Sequence, residues 1–206
     1  MVQSTSALGL LEITGLSPAM VATDAMEKAG TIRVAQIEFN DLYGACVKIT
    51  GSTADVKIAI ATATKLADQM HVKCVATVIP NPEPAIAGVW QSKPEFSPLI
   101  EQDVVIIPKE SNVSEQAPFA IGLIETQGLT AVIEAIDTAC KAANVQVLGK
   151  EKLGGGYVTV IIKGDVAAVK AAIAAGQEKV NGLGKLIAAH VIPRPSTAVL
   201  ALLPKS

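Results

Sequence analysis

Aromatic side chains are scarce in this chain: one Trp, two Tyr and three Phe among 206 residues, 3% in all. Charge is scarce too, at 17%, although half of the residues are hydrophobic. A large core must therefore be built from aliphatic residues, under a surface with few charges to hold water. Such a surface suits cover by partners. Neither sign of charge dominates, with 17 Lys and Arg against 19 Asp and Glu, a formal net charge of -2 and no basic block. That balance argues against a protein that holds a phosphate backbone. No apolar run approaches the roughly 18 residues needed to span a bilayer, and the start, MVQSTSALGLLEIT, lacks a positive leader region. No membrane association and a cytoplasmic location are expected. The three cysteines, Cys46, Cys74 and Cys140, are odd in number and widely spaced, as expected of reduced thiols rather than a disulfide framework.

What the chain does have is itself, twice. LGLLEITGL from Leu8 to Leu16 reappears as IGLIETQGL from Ile121 to Leu129, displaced by 113 positions. The offset continues without a gap. It pairs Asp24 with Asp137, Lys28 with Lys141, Gly51 with Gly164 and Val56-Lys57 with Val169-Lys170, and it closes on VIPNP at Val78 and VIPRP at Val191. The period is too long for a solenoid unit, so two copies of one domain are fused in tandem. We place the first at 1–86 and the second at 118–206. Between them, 87–117 differs in composition: it holds the only Trp, several prolines and the strand-like run DVVIIP. Trp90, Phe96, Leu99 and Ile100 would be costly to leave in water, so this extension is expected to be ordered.

Within each copy the periodicities predict β-α-β-β-α-β followed by a short helix. Apolar alternation over Ala7 to Ile13 predicts a strand, and Ser17-Pro18 an N-cap and first-turn proline for a helix to about Ala29. Ile32 to Phe39 and Ala45 to Thr50 predict a hairpin around the loop NDLYG. Ser52 and Asp55 resemble a capping box opening an Ala-rich helix, and Asp165 is the equivalent cap in the second copy. Lys73 to Ile79 predicts the last strand, stopped by prolines. The fold class is α/β in the α+β sense, with two tandem split β-α-β units of the ferredoxin-like kind, each an antiparallel sheet with flanking helices.

The second copy carries GLIET, DTACKAANV, KLGGG, KGDVAAVKAA and HVIPRP in that order; the first carries GLLEI, DAMEKAG, a TG before its long helix, and VIPNP. In these motifs the chain resembles the bacterial microcompartment shell domain, and as a whole it is similar to the tandem-domain, trimeric shell proteins. The resemblance covers all but the first few residues and the insert from about Ala87. It implies a wedge-shaped domain, a homotrimer with a pseudohexameric outline, and edge-to-edge packing with other shell proteins, hexamers and pentamers, around encapsulated enzymes. It implies no catalytic residue, no cofactor and no nucleic acid partner.

The resemblance also places the loop matching Leu153, Gly154, Gly155 and Gly156 at a central pore. By the offset, Asn40, Asp41, Leu42 and Tyr43 stand at the corresponding place, so three bare loops would alternate with three loops carrying side chains. Some tandem relatives hold an iron-sulfur cluster on a pore cysteine; none of the three cysteines lies at 40–43 or 153–156, and no cluster is expected. Lys28 and Lys141 match the family's edge lysine, and Arg194 its edge arginine, with Asn81 at the equivalent first-copy place.

The same residues admit other readings. Three glycines in a row also suit a plain hairpin with positive φ angles. A phosphate cradle fits poorly, because GGGYVTV leads into a strand rather than a helix. Glu12, Glu125, Asp24 and Asp137 are expected in interface or capping roles, since no nucleophile or metal-ligand cluster accompanies them. His71 and Cys74 form an H-x-x-C spacing with too few ligands for zinc, and His190 is expected at a domain interface. A ferredoxin-like trimer that binds a small molecule between subunits is the alternative from another class; an enzyme is third.

Overall fold

The computed structural model describes residues 6–40, 44–91, 104–106 and 118–204. Their contacts divide them into two compact units. The first unit comprises the described residues up to Thr14 together with those from Ala22 through the strand at 104–106; the second comprises Gly15–Val21 together with the residues from 118 onward.

In the first unit, β1 (Ala7–Ile13), β2 (Ile32–Asn40), β3 (Gly44–Gly51) and β4 (Cys74–Ile79) are antiparallel in the order β4-β1-β3-β2. β1 thus lies between β3 and β4, with Leu11 opposite both Val47 and Ala76. This is the expected split β-α-β arrangement, made when α1 (Leu16–Ala29) and α2 (Thr53–Gln69) act as crossovers. α2 packs on the sheet through Val56, Ala59, Ile60, Ala63 and Ala67, which recur at helical spacing. Gly9 is what lets it approach, since a Cβ there would lie 2.7 Å from Ile49 and 2.8 Å from Val56. Ser52 caps α2 as expected: its Oγ accepts from the Asp55 N–H at 3.1 Å. The Asp55 carboxylate reaches back to the side chain of the cap: Oδ2 accepts from the Ser52 hydroxyl at 2.6 Å, and Oδ1 accepts from the Thr31 N–H at 3.3 Å.

Beyond the four strands, β5 (Val104–Ile106) adds to the outer edge of β2, the strand-like run expected in the extension. A single 3-10 turn at Pro84–Ile86 leads into the short α3 (Ala87–Trp90). Phe96, Leu99 and Ile100 lie outside the described residues.

The second unit repeats the plan. β6 (Ala120–Gln127), β7 (Gln146–Lys152), β8 (Tyr157–Gly164) and β9 (Lys185–Ile192) form an antiparallel sheet in the order β7-β8-β6-β9. α4 (Leu129–Ala142) and α5 (Val166–Glu178) cover one face, and α6 (Thr197–Ala201) follows. Ile124, Val132, Ala135, Val160, Ile162, Val169 and Ile173 lead a core made of aliphatic side chains. The Asp165 cap forms, its Oδ1 accepting from the Ala168 N–H at 2.9 Å. Small residues set the helix spacing: a Cβ on Gly176 would lie 2.7 Å from the Ala135 carbonyl oxygen, so α4 and α5 cross with backbone against backbone.

One boundary differs from the sequence reading. α1 begins at Leu16, so Ser17 stands inside the first turn rather than at the N-cap. Its hydroxyl is buried without a hydrogen-bond partner. The cap is supplied from a distant part of the chain.

Candidate functional site

Three places collect the residues that sequence reasoning singled out: the glycine turn, the helix carrying each paired lysine, and the ends of the strands that run into the proline motifs. The glycine turn joins β7 to β8. Gly154, Gly155 and Gly156 take φ values of 70, 58 and 82°, so each residue needs the left-handed region that glycine enters freely. Tyr157 N–H donates to the Gly154 carbonyl at 2.9 Å and Leu153 N–H to the Tyr157 carbonyl at 3.2 Å, closing the hairpin. Gly128 N–H donates to the Gly156 carbonyl at 2.9 Å, and Gln127 Nε2 to the Gly155 carbonyl at 3.2 Å. The turn is thereby tied to the start of α4. Leu153 is buried beneath it while the three glycines are exposed. It leads into a strand, so it is not the loop-then-helix arrangement of a phosphate cradle. The corresponding first-copy residues Asp41, Leu42 and Tyr43 lie outside the described residues, as does the side chain of Asn40.

The two lysines are placed alike. Lys28 Nζ meets Asp24 Oδ2, and Lys141 Nζ meets Asp137 Oδ2, each at 2.6 Å and one turn apart on the last turns of their helices. Both cations lie where the helix dipole favours them. The Asp137 hydrogen bond, with its charge second, holds the Lys141 ammonium above its ordinary range. Lys141 is the more exposed of the two. Arg194 and Asn81 are exposed in the turns after β9 and β4. Arg194 holds φ at 130°, a conformation uncommon for a residue with a Cβ.

The paired glutamates do not behave alike. Glu125, on β6, is fully buried. Its Oε1 accepts from Leu16 N–H and its Oε2 from Ser17 N–H, both at 3.0 Å. A helix leaves its first N–H groups without intrahelical partners; Pro18 has none to offer, and Ala19 N–H already reaches the Gly15 carbonyl. One carboxylate therefore satisfies the first turn of α1. Burial pushes the Glu125 carboxyl above the ordinary carboxylate range, opposed by these two donors. Glu12, its counterpart on β1, is exposed.

A polar cluster that sequence reasoning missed lies on β2 and β3. Lys48 is buried, and its Nζ donates to Gln36 Oε1 at 3.0 Å, Glu38 Oε1 at 2.6 Å and the Trp90 carbonyl at 2.9 Å. It anchors the start of the extension to the sheet. The available signal was a lysine within the apolar strand ACVKIT.

His71 takes φ 56° just after α2. His71 N–H donates to the Asp68 carbonyl and Val72 N–H to the Ala67 carbonyl, both at 3.1 Å, the double bond of a Schellman helix stop. His190 lies on β9 opposite Leu123, and burial lowers its pKa. Cys46 is buried, which pushes its thiol up to about 11. Among the described residues no three His, Cys, Asp or Glu side chains gather as metal ligands, and no helix is long and apolar enough to cross a membrane.

Comparison with known proteins identifies the repeated domain. The family model of the BMC domain matches twice, at residues 7–82 and 120–195. The bacterial microcompartment shell protein PduA of Citrobacter freundii is 56% identical over 86 residues, which is 42% of this chain and 92% of that protein. The carboxysome assembly protein CcmO of Synechococcus elongatus is 32% identical over 204 residues, 98% of this chain and 70% of that protein. A microcompartment protein of known structure from Desulfitobacterium hafniense aligns over 93% of this chain and 96% of its own, with 25% identity and a TM-score of 0.39.

Proposed function

The chain belongs to the BMC domain family and carries the domain twice, and from that premise we propose that it is a structural shell protein of a bacterial microcompartment, located in the cytoplasm in the shell itself. The observation that carries this reading is the duplication: two matches of 76 residues each, 7–82 and 120–195, on sheets of the same strand order. Both a single-domain shell protein and a tandem one are among its relatives.

The finer reading is a homotrimer in which six domains alternate around a closed ring. We assign the first domain to 1–86, the extension to 87–117 and the second domain to 118–206. The exposed glycine turn and the loop from Asn40 to Tyr43 would face the three-fold axis, leaving a pore for metabolites whose chemistry is set by Asp41, Leu42 and Tyr43. Lys28, Lys141, Asn81 and Arg194 would meet neighbouring tiles. Exposure of Lys141, Asn81 and Arg194 supports that role. Partners are other shell proteins and the enclosed enzymes, and the protein itself performs no catalysis.

The test is the solution mass together with negative-stain images of the same sample. About three chains per particle, seen as hexagonal tiles or sheets, is the expected result. A monomer or dimer that forms no sheet at any salt concentration refutes it. Combining Lys28→Ala with Lys141→Ala should leave trimers intact and weaken sheets; unchanged sheets remove those lysines from the edge.

A further inference from the structure

We infer that Glu12 of a second copy of the chain caps the N-terminus of α4, and that the surface of that copy around Glu12 covers Leu129 and Ile133. The inference rests on the trimeric reading above and gives it an interface.

The second unit contains two helix starts of common descent. One is Gly15-Leu16-Ser17 and the other Gly128-Leu129-Thr130, each opened by a glycine of positive φ, 92 and 113°. At the first start the contact is made. Leu16 and Ser17 donate to the Glu125 carboxylate, and the apolar residues of that turn and the next are covered, Leu16 at 2% and Met20 at 0% exposure. At the second start the contact is missing. No side chain caps α4, and the residues equivalent to Leu16 and Met20 are bare, Leu129 at 46% and Ile133 at 53%.

The missing acceptor also has a location. Position 125 corresponds to 12 by the 113-residue offset, and Glu12 is exposed on β1. The chain thus holds one completed contact and, separately, both halves of a second. A carboxylate on offer and a positive helix end with exposed leucine and isoleucine beside it are complementary in charge and in hydrophobicity. The completed contact supplies the occupant: whatever satisfies Leu129 and Thr130 should present what Glu125 presents to Leu16 and Ser17. Only the Glu12 region of another copy carries that sequence frame. A contact of this kind is heterologous, with different surfaces on its two sides, so it continues from chain to chain until the ring closes.

The experiment compares the native chain with Glu12→Ala and Ile133→Glu, measuring mass across a dilution series and amide hydrogen exchange in the peptide covering residues 128–132. Both substituted positions are exposed, so each variant should keep the native far-UV spectrum. The expected result is a native trimer with slow exchange at Leu129 and Thr130. Glu12→Ala should speed that exchange at least about tenfold, the scale of a hydrogen bond to a charged group, and raise the dissociation midpoint. Ile133→Glu should give monomers. If the native chain is a trimer and both variants match it in mass and in exchange at 128–132, this contact is overturned and the trimer is held elsewhere. If the native chain is a monomer throughout, the trimeric reading and this contact fail together.

Discussion

Removing the Glu125 carboxylate should loosen the first turn of α1 and little else. In Glu125→Ala, Leu16 and Ser17 each lose an acceptor at 3.0 Å, and neither has a replacement within its own helix. Two hydrogen bonds to a charged group would together contribute about 3–6 kcal/mol. The buried carboxylate gives part of this back, because its charge is disfavoured there, as its raised pKa shows. A net loss of about 2 kcal/mol remains, at the upper end of measured cap deletions. That corresponds to roughly 30-fold faster amide exchange if the turn opens locally. The assay is hydrogen exchange by mass spectrometry on the peptide covering 14–20, with Glu178→Ala as the comparator. Glu178 is an exposed carboxylate at the end of α5, so that variant should leave this peptide unchanged. Native exchange at Leu16 and Ser17 in a folded Glu125→Ala protein would refute the capping role.

The same residue predicts a pH dependence. A carboxyl whose folded pKa is raised contributes stability that is fully present below the unfolded value, near 4.5, and lost as pH rises through the folded value. Glu125→Gln should therefore show a flatter fall in stability just above pH 4.5 than the native chain; identical slopes would contradict this. Lys48→Met removes one donor shared by Gln36, Glu38 and the Trp90 carbonyl and should cost about 2–4 kcal/mol, below a fully buried pair because Glu38 keeps some water; an unmoved urea midpoint would count against the cluster. Gly176→Ala sets about 1 kcal/mol of helix propensity against a Cβ 2.7 Å from the Ala135 carbonyl oxygen. Backbone cannot yield as a side chain can, so a net destabilisation of about 1–2 kcal/mol is expected, and a raised melting temperature would show that α4 and α5 have room to separate.

Local signals were sufficient for most of the fold. Apolar alternation located β1 at its observed bounds, Ala7–Ile13, because a strand with one face on a core must alternate. Ser52 and Asp165 were legible as caps because a cap is completed within four residues. The start of α1 was misplaced for the opposite reason: its acceptor lies 109 residues along the chain from Leu16, and no local pattern announces such a partner. Lys48 was hidden likewise, since its acceptors come from β2 and from Trp90, 42 positions away. The glycine turn could be read from composition alone, because three successive positive φ values admit hardly any other residue. What that turn faces is not written in its own residues, which offer only backbone.

Those three glycines also limit how this protein can change. Any side chain placed at 154, 155 or 156 meets unfavourable backbone angles even where space is open, as it is around Gly156, whose Cβ would find nothing nearer than 3.7 Å. Single substitutions in this turn are therefore costly before any effect on traffic through a pore is considered. Under the proposed arrangement, inherited variation in permeability would accumulate at positions 40–43 and leave 154–156 untouched. A lineage could then acquire a new solute preference through one half of the gene while the other half stayed under constant backbone constraint.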